Sequence, residues 1–400
     1  MRNRLSFLGF LFIGLAACGD SETGTTSSTS TSTGGGNGGE GNGGAGGAGG
    51  GSGGMSSGGA GGGSGGGMAG EVGNASQAEG LYFPPGAVWY EDISNAPVSP
   101  ESGAITAWME GFNPPNGWGT GVMKVDFSIV AVDVPAGTAK RSFQTVDGYY
   151  YVPDCDNAPV PVPAGGAVEE TYGTPTDFSG PFTGYNCYGF PDGADCHMLF
   201  VSRSEKRLYE IYHATIDSSD AFHAGCLAVW DISQVYGPDG RGQQCTSADA
   251  AGFPIAPLLF TAEEIQAGEI NHAIRFILPN NMVRAKKYVY PATHGTNTTG
   301  PQTSIPYGAR LRLRKDYPIN TLSPAAQVVA KALQKYGMLH ADGGQIALTA
   351  QSDVLSDVKW AAVGFDANSL NALKATDFEV LDFGTPIDVT YDCQRMQITQ

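Results

Sequence analysis

The residues of this chain that could do chemistry are imidazoles and carboxylates set into apolar stretches. In "GEINHAIRFIL", Gly268 to Leu278, a period of two puts His272 on one face with Ile270, Ile274, Phe276 and Leu278, and Glu269, Asn271, Ala273 and Arg275 on the other. An imidazole on an apolar face is either a hydrogen-bonded core residue or part of a site cut into that face. "CHMLFVSRSEKRLYEIYH" is the second case. A two- or four-residue loop centred on Ser204 and Glu205 pairs Leu199 with Glu210 and His197 with Tyr212, so His197, Leu199, Val201, Leu208, Glu210 and Tyr212 share a face. A three-residue loop would separate them.

Glu210 then lies inside an apolar strand, where an unpaired charge is costly, so it needs a partner or a raised pKa. A protonated Glu beside a second carboxylate can protonate a leaving oxygen while its partner attacks or activates water, as in glycoside hydrolysis. Asp249, in "CTSADAAGFP", is the candidate second carboxylate. The candidate catalytic set is therefore Glu210, Asp249, His197 and His272, with Asp195, His294 and Arg310 as binding residues. Each has a structural alternative: Glu210 pairing with Arg275 or Arg310, Asp249 capping a turn, and the histidines satisfied within the core. Asp195-x-His197 also places a carboxylate and an imidazole on one side of a strand, and with His272 and His294 forms a possible metal set. No His-x-x-x-His on a helix supports that set, and no cofactor is specified.

These residues need strands to carry them. Short runs rich in Val, Ile, Phe and Tyr recur between Gly, Pro and Asp, among them "VMKVDFSIVAVDV", "CLAVWDI", "KKYVYPA" and "ARLRLR". They predict a mainly β fold, a β-sandwich or jelly-roll-like body with a few covering helices, with α+β as the alternative. The clearest helix is "SPAAQVVAKALQKYG", with Ser323 as N-cap, Pro324 at the first helical position and Gly337 as the stop. A second is predicted over Ser99 to Phe112. A short third follows Thr261, whose spacing to Glu264 is that of a capping box, and Gly268 closes it.

The chain opens "MRNRLSFLGFLFIGLAACGD": basic Arg2 and Arg4, an apolar run from Leu5 to Ala17, then Cys18. This predicts an export signal, and "LAAC" resembles the bacterial lipobox, which implies cleavage before Cys18 and a lipid anchor there. Residues 1–17 are thus read as a lipoprotein signal peptide, 18–80 as a disordered Gly/Ser-rich tether and 81–400 as a single globular domain. The tether has almost nothing to bury, and its root-mean-square reach is about 40 Å. The net charge of −17 argues against nucleic acid. Leaving out Cys18, the cysteines are Cys155, Cys187, Cys196, Cys226, Cys245 and Cys393, an even set that predicts disulfides in an exported chain without choosing their pairing. Outside the glycine-rich tether, which imitates the pattern by composition alone, there is no Gly-x-Ser-x-Gly elbow, and there is no P-loop.

Over roughly Asn95 to Asp382 the chain resembles an uncharacterised family of secreted bacterial and fungal proteins. The segments that carry the resemblance are "DCHMLFVSRSEKRLYEIYHA", "TSADAAGFPIAPLLFTAEEIQAGEINHAIRF", "YPATH" and "PYGARLRLRKDYPI". Its pattern maps onto Asp195, His197, Glu210, Asp249, His272 and His294, and it implies no activity. The expectation is an exported, lipid-anchored hydrolase of an extracellular polysaccharide or other polymer. The alternatives are a non-catalytic carbohydrate- or ligand-binding lipoprotein and a His/Asp metal-binding protein.

Overall fold

A computed structural model describes residues 72–169, 184–187, 189–191 and 196–399. The signal segment, Cys18, most of the tether and Asp195 lie outside the described residues. Residues 72–80, expected to belong to the tether, are folded. Ala75 donates its N–H to the Ala131 carbonyl, the Ser76 and Thr261 hydroxyls are 2.9 Å apart, and the Gln77 amide bonds the Pro257 carbonyl.

The strands are numbered in chain order: β1 (Val125–Asp126), β2 (Ala131–Asp133), β3 (Lys140–Arg141), β4 (Gln144–Thr145), β5 (Val160–Pro161) and β6 (Met198–Ser202). Next come β7 (Arg207–Ile216), β8 (Phe222–Asp231), β9 (Ile274–Leu278), β10 (Val283–Tyr288) and β11 (Ile305–Tyr307). The last are β12 (Arg310–Leu313), β13 (Met338–Gly343), β14 (Leu348–Thr349), β15 (Phe378–Val380) and β16 (Ile387–Asp388). A five-stranded sheet runs β2-β6-β7-β8-β4 and a six-stranded sheet β1-β14-β9-β13-β12-β15; β11-β10-β16 and β3-β5 form smaller sheets. The body is mainly β with few helices, as the spacing of apolar runs implies.

The β6–β7 hairpin has the even-loop register. Leu199 pairs with Glu210 and Met198 with Ile211, leaving a four-residue loop between Ser202 and Arg207. Alternation then sorts the side chains by face. Leu199, Val201, Leu208 and Trp230 join the larger core cluster, which also holds Ile274, Phe276, Leu311 and Met338 of the six-stranded sheet. Met198, Phe200, Tyr209 and Ile211 join a second cluster on the opposite face. Both faces of the hairpin are buried.

In the six-stranded sheet β9 and β13 run parallel, a pairing that needs a long crossover, and α3 (Pro324–Lys335) lies within it. Ser323 Oγ accepts the Ala326 N–H, Pro324 occupies the first turn, and Gly337 follows the helix at φ 68°. The Thr261–Glu264 capping box starts α2 (Ala262–Ala267), and Gly268 ends it in the left-handed conformation at φ 84°. α1 spans Ser102–Glu110. The disulfides are Cys155–Cys226, Cys187–Cys196 and Cys245–Cys393. Such bonds form in an oxidising, extracellular type of environment.

The strand expected over Asn271 to Leu278 begins only at Ile274. The segment before it is diverted by the α2 cap, so His272 sits in the approach to β9 rather than on its face.

Candidate functional site

Strand register builds a polar row across the six-stranded sheet. Leu348 pairs with Phe276 in the antiparallel β14–β9 pair, which sets Thr349 opposite Arg275, and Asp126 pairs with Thr349 in β1–β14. Arg275 Nη1 accordingly donates to Thr349 Oγ1 at 2.7 Å. On the other side Leu339 pairs with Arg275, and a bulge after His340 matches Asp342 with Ile277. Residues 275 and 277 share a face, so the extra residue turns Asp342 onto the face of Arg275. In an unbulged register Ala341 would match Ile277, and Asp342 would point away. Arg275 Nη2 bonds Asp342 Oδ2 at 3.1 Å.

Asp249 completes the set. Its two carboxylate oxygens accept from Arg275 Nε and Nη2 at 2.9 Å each, a bidentate pair buried on both sides. Burial disfavours the Arg275 charge, but Asp249 and Asp342 more than offset it and hold the guanidinium above its ordinary range.

The second half of the seam belongs to His197, just ahead of β6. Its Nδ1 lies 2.5 Å from Glu169 Oε2, its backbone N–H donates to the same oxygen, and its Nε2 lies 3.0 Å from the Ala248 carbonyl. Both ring nitrogens face acceptors, so full bonding calls for two N–H groups, the imidazolium. Burial alone would raise the Glu169 pKa, but the His197 charge and the bonds from His197 and Ser128 outweigh it and hold it low. Ser128 Oγ is within 3.0 Å of Glu169 Oε1 and 2.7 Å of Asp126 Oδ2. Asp126 is shifted the other way, raised chiefly by burial and then by the Glu169 charge despite the Ser128 bond. One hydroxyl has one proton, so it bridges both carboxyls fully only when Asp126 is protonated and donates to Ser128, which donates to Glu169. Asp126 and Ser128 are half-buried, and Glu169 is buried.

The loop from Thr246 to Ala256 ties these parts together. Arg241 holds the Thr246 carbonyl and Asp154 its N–H; His197 holds the Ala248 carbonyl and Arg275 the Asp249 side chain. His294 Nδ1 lies 2.7 Å from the Ala250 carbonyl, and Ala251 donates to the carbonyl of the bulge residue Ala341. Gly252, at φ 79°, sits where a Cβ would collide with Thr293 Oγ1 and the Cys245 carbonyl. Glu210 anchors the far end. Its Oε1 accepts from the Ile255 and Ala256 N–H groups at 2.7 and 2.8 Å, and its Oε2 from Trp230 Nε1 at 3.1 Å.

Four of the residues singled out by sequence, His197, Glu210, Asp249 and His294, thus converge on one loop, but not on one cleft. Glu210 is fully buried, and burial pushes its pKa up to about 8 although three N–H groups pull it down. It pairs with neither Arg275 nor Arg310. His272 stands apart, with Nδ1 2.8 Å from the Ala273 carbonyl and Nε2 3.1 Å from Glu264 Oε1 in the α2 capping box. Burial lowers the His294 pKa. Arg310 bonds the Tyr336, Val88 and Glu91 carbonyls. Among the described residues no group of three or more His, Cys, Asp and Glu side chains is placed to hold a metal ion.

Asp126, Ser128, Glu169 and Asp342 were not marked out by sequence. Only Asp126-x-Ser128, two polar residues at strand spacing within an apolar run, offered a signal. Comparison of the chain with protein-family models, curated proteins and solved structures returns no match.

Proposed function

We propose that the protein is an exported, lipid-anchored hydrolase of an extracellular polysaccharide, with Asp126 as general acid and Glu169 as its ionised partner. The observation that carries this reading is the single hydroxyl, Ser128 Oγ, bridging two carboxyls whose surroundings push them in opposite directions, one raised and one lowered. A pair split this way can run acid and base chemistry at one pH. Both carboxyls lie within 3.0 Å of that hydroxyl, closer together than the roughly 6.5–9.5 Å that admits a water in inverting enzymes. The arrangement therefore fits a retaining reaction. Asp126 gives its proton to the glycosidic oxygen as that bond breaks, and a Glu169 oxygen bonds the anomeric carbon. Water, losing a proton to the Asp126 carboxylate, then hydrolyses the ester. His197 positions Glu169, and Arg275 with Asp249, Asp342 and Thr349 forms the rigid wall behind the pair.

The test is release of reducing ends from a panel of polysaccharides by wild type, Asp126→Asn and Glu169→Gln. Wild type is expected to release product and each variant to lose at least about a hundredfold. No release by wild type, or equal release by all three, removes the reading. A second reading, a non-catalytic carbohydrate-binding lipoprotein, is favoured by the buried hydrogen bonds that occupy Glu210, Asp249 and His272. It predicts retention on polysaccharide without release.

A further inference from the structure

We infer that the groove between the Pro85–Glu91 turn and Tyr290 binds a neutral pyranose ring, as a carbohydrate subsite separate from the Asp126–Glu169 pair. The groove has a volume of about 430 Å³ and is lined by Val88, Glu91, Val235, Tyr236 and Tyr290 together with the Pro85–Ala87 backbone. Two of its walls are apolar groups left facing water: Val235 is 49% exposed and Tyr290 46%. Neither belongs to a core cluster, so both are free to meet a ligand.

The lining is built, not loose. Arg310, buried beneath the turn, donates from Nη1 to the Val88 carbonyl at 3.1 Å and from Nη2 to the Glu91 carbonyl at 3.3 Å, while its Nε bonds the Tyr336 carbonyl on the α3 side. The Tyr236 hydroxyl accepts the Asp231 N–H at 2.8 Å, and its ring packs edge-on against Trp230 at 5.0 Å. Tyr290 is close enough to Glu91 and Arg310 to feel both charges. The Glu91 carboxylate is 63% exposed at the rim, 3.5 Å from Arg310 Nη1.

This combination selects its ligand by chemistry. A pyranose has an apolar face of C–H groups that lies on a tyrosine ring and an edge of hydroxyls that donate to a carboxylate. An acidic sugar would bring its own carboxylate against Glu91 and be disfavoured. The inference shares with the proposed function the reading of a polysaccharide as partner, but it requires none of the chemistry assigned to Asp126 and Glu169.

The experiment is affinity electrophoresis and calorimetry of the full exported chain with neutral hexaoses of glucose, mannose and N-acetylglucosamine and with an oligogalacturonate. The variants are Tyr290→Ala, at an exposed side chain whose loss leaves the core intact, and Glu91→Gln. Binding of a neutral oligosaccharide that weakens roughly three- to tenfold in each variant supports the subsite. Binding of none by wild type, equal binding by wild type and both variants, or a preference for the oligogalacturonate overturns it. Reducing-end release measured in parallel separates the two proposals. Tyrosine-dependent binding without release keeps the subsite and removes the hydrolase, whereas release with unchanged binding in Tyr290→Ala does the reverse.

Discussion

At Glu210 burial and hydrogen bonding act against each other on one carboxyl. Burial outweighs three N–H donors and the folded pKa rises to about 8, above the unfolded value near 4.3. The stability this linkage contributes is full below the unfolded value and is lost as pH rises through 8. In Glu210→Gln that dependence should vanish, because the amide oxygen still accepts from Ile255 and Ala256 without titrating. Its NH₂ would meet the Trp230 N–H with no acceptor between them, costing roughly 1–3 kcal/mol at pH 5. Urea unfolding between pH 5 and 8 measures both effects, and an unchanged slope would reject the assignment. His340 runs the other way. It is fully buried, stacked on Tyr307 at 4.7 Å, and burial pushes it down to about 4. Its contribution is present above about 6.5 and lost as pH falls through 4, a few kcal/mol in all. His340→Phe should flatten the acid limb of the stability profile. If it stays as steep, the acid loss comes from elsewhere.

At the scale of elements, the β13 bulge connects backbone to site. It aims Asp342 at Arg275 and leaves the Ala341 carbonyl for the Ala251 N–H. Asp342→Ala removes one of the two carboxylates that face Arg275 and should cost roughly 3–5 kcal/mol, the loss expected when a buried ion pair is broken. A chemical-denaturation midpoint close to wild type would show that Asp249 alone satisfies Arg275. The elements that were legible in sequence are those whose signals are local. Ser323-Pro324 before a 3.6-residue stripe gave α3, Thr261 and Glu264 gave the α2 cap, and the parity of a four-residue loop gave the β6–β7 register. The bulge had no such signal, because it exists only relative to β9, some sixty residues away. The strand expected from Asn271 starts later because alternation continues through a segment that the αL residue after α2 redirects.

At the scale of the molecule, long closures join distant segments. Cys245–Cys393 spans 148 residues and Cys187–Cys196 only 9. In the chain-entropy view, removing the first pair should destabilise by roughly 2–3 kcal/mol more than removing the second. Thermal unfolding of Cys245→Ala/Cys393→Ala beside Cys187→Ala/Cys196→Ala checks the order. The first disulfide also fastens the start of the loop that His197, Arg275, His294 and Glu210 hold, so its loss should loosen that loop. On the proposed lipid anchor at Cys18, Cys18→Ser should move the protein from the membrane fraction into the soluble one. Continued sedimentation with membranes would argue against a lipid at Cys18.

By itself, the sequence indicated the β-rich class, the capped helices and an even cysteine set, and narrowed the hairpin to two parities, all properties of neighbouring residues or of counts. It also marked His197, Glu210, Asp249 and His294 as unusual, because a polar side chain among apolar neighbours is visible without a structure. Only the tertiary structure decided what they do. It showed Glu210 as the anchor of the Thr246–Ala256 loop, His272 as a partner of Glu264, and Asp126 and Glu169 as a pair bridged by Ser128. The physical reason is that a buried polar group is defined by its partner. Here those partners come from strands and loops far apart in the chain, and no local pattern encodes which ones will meet.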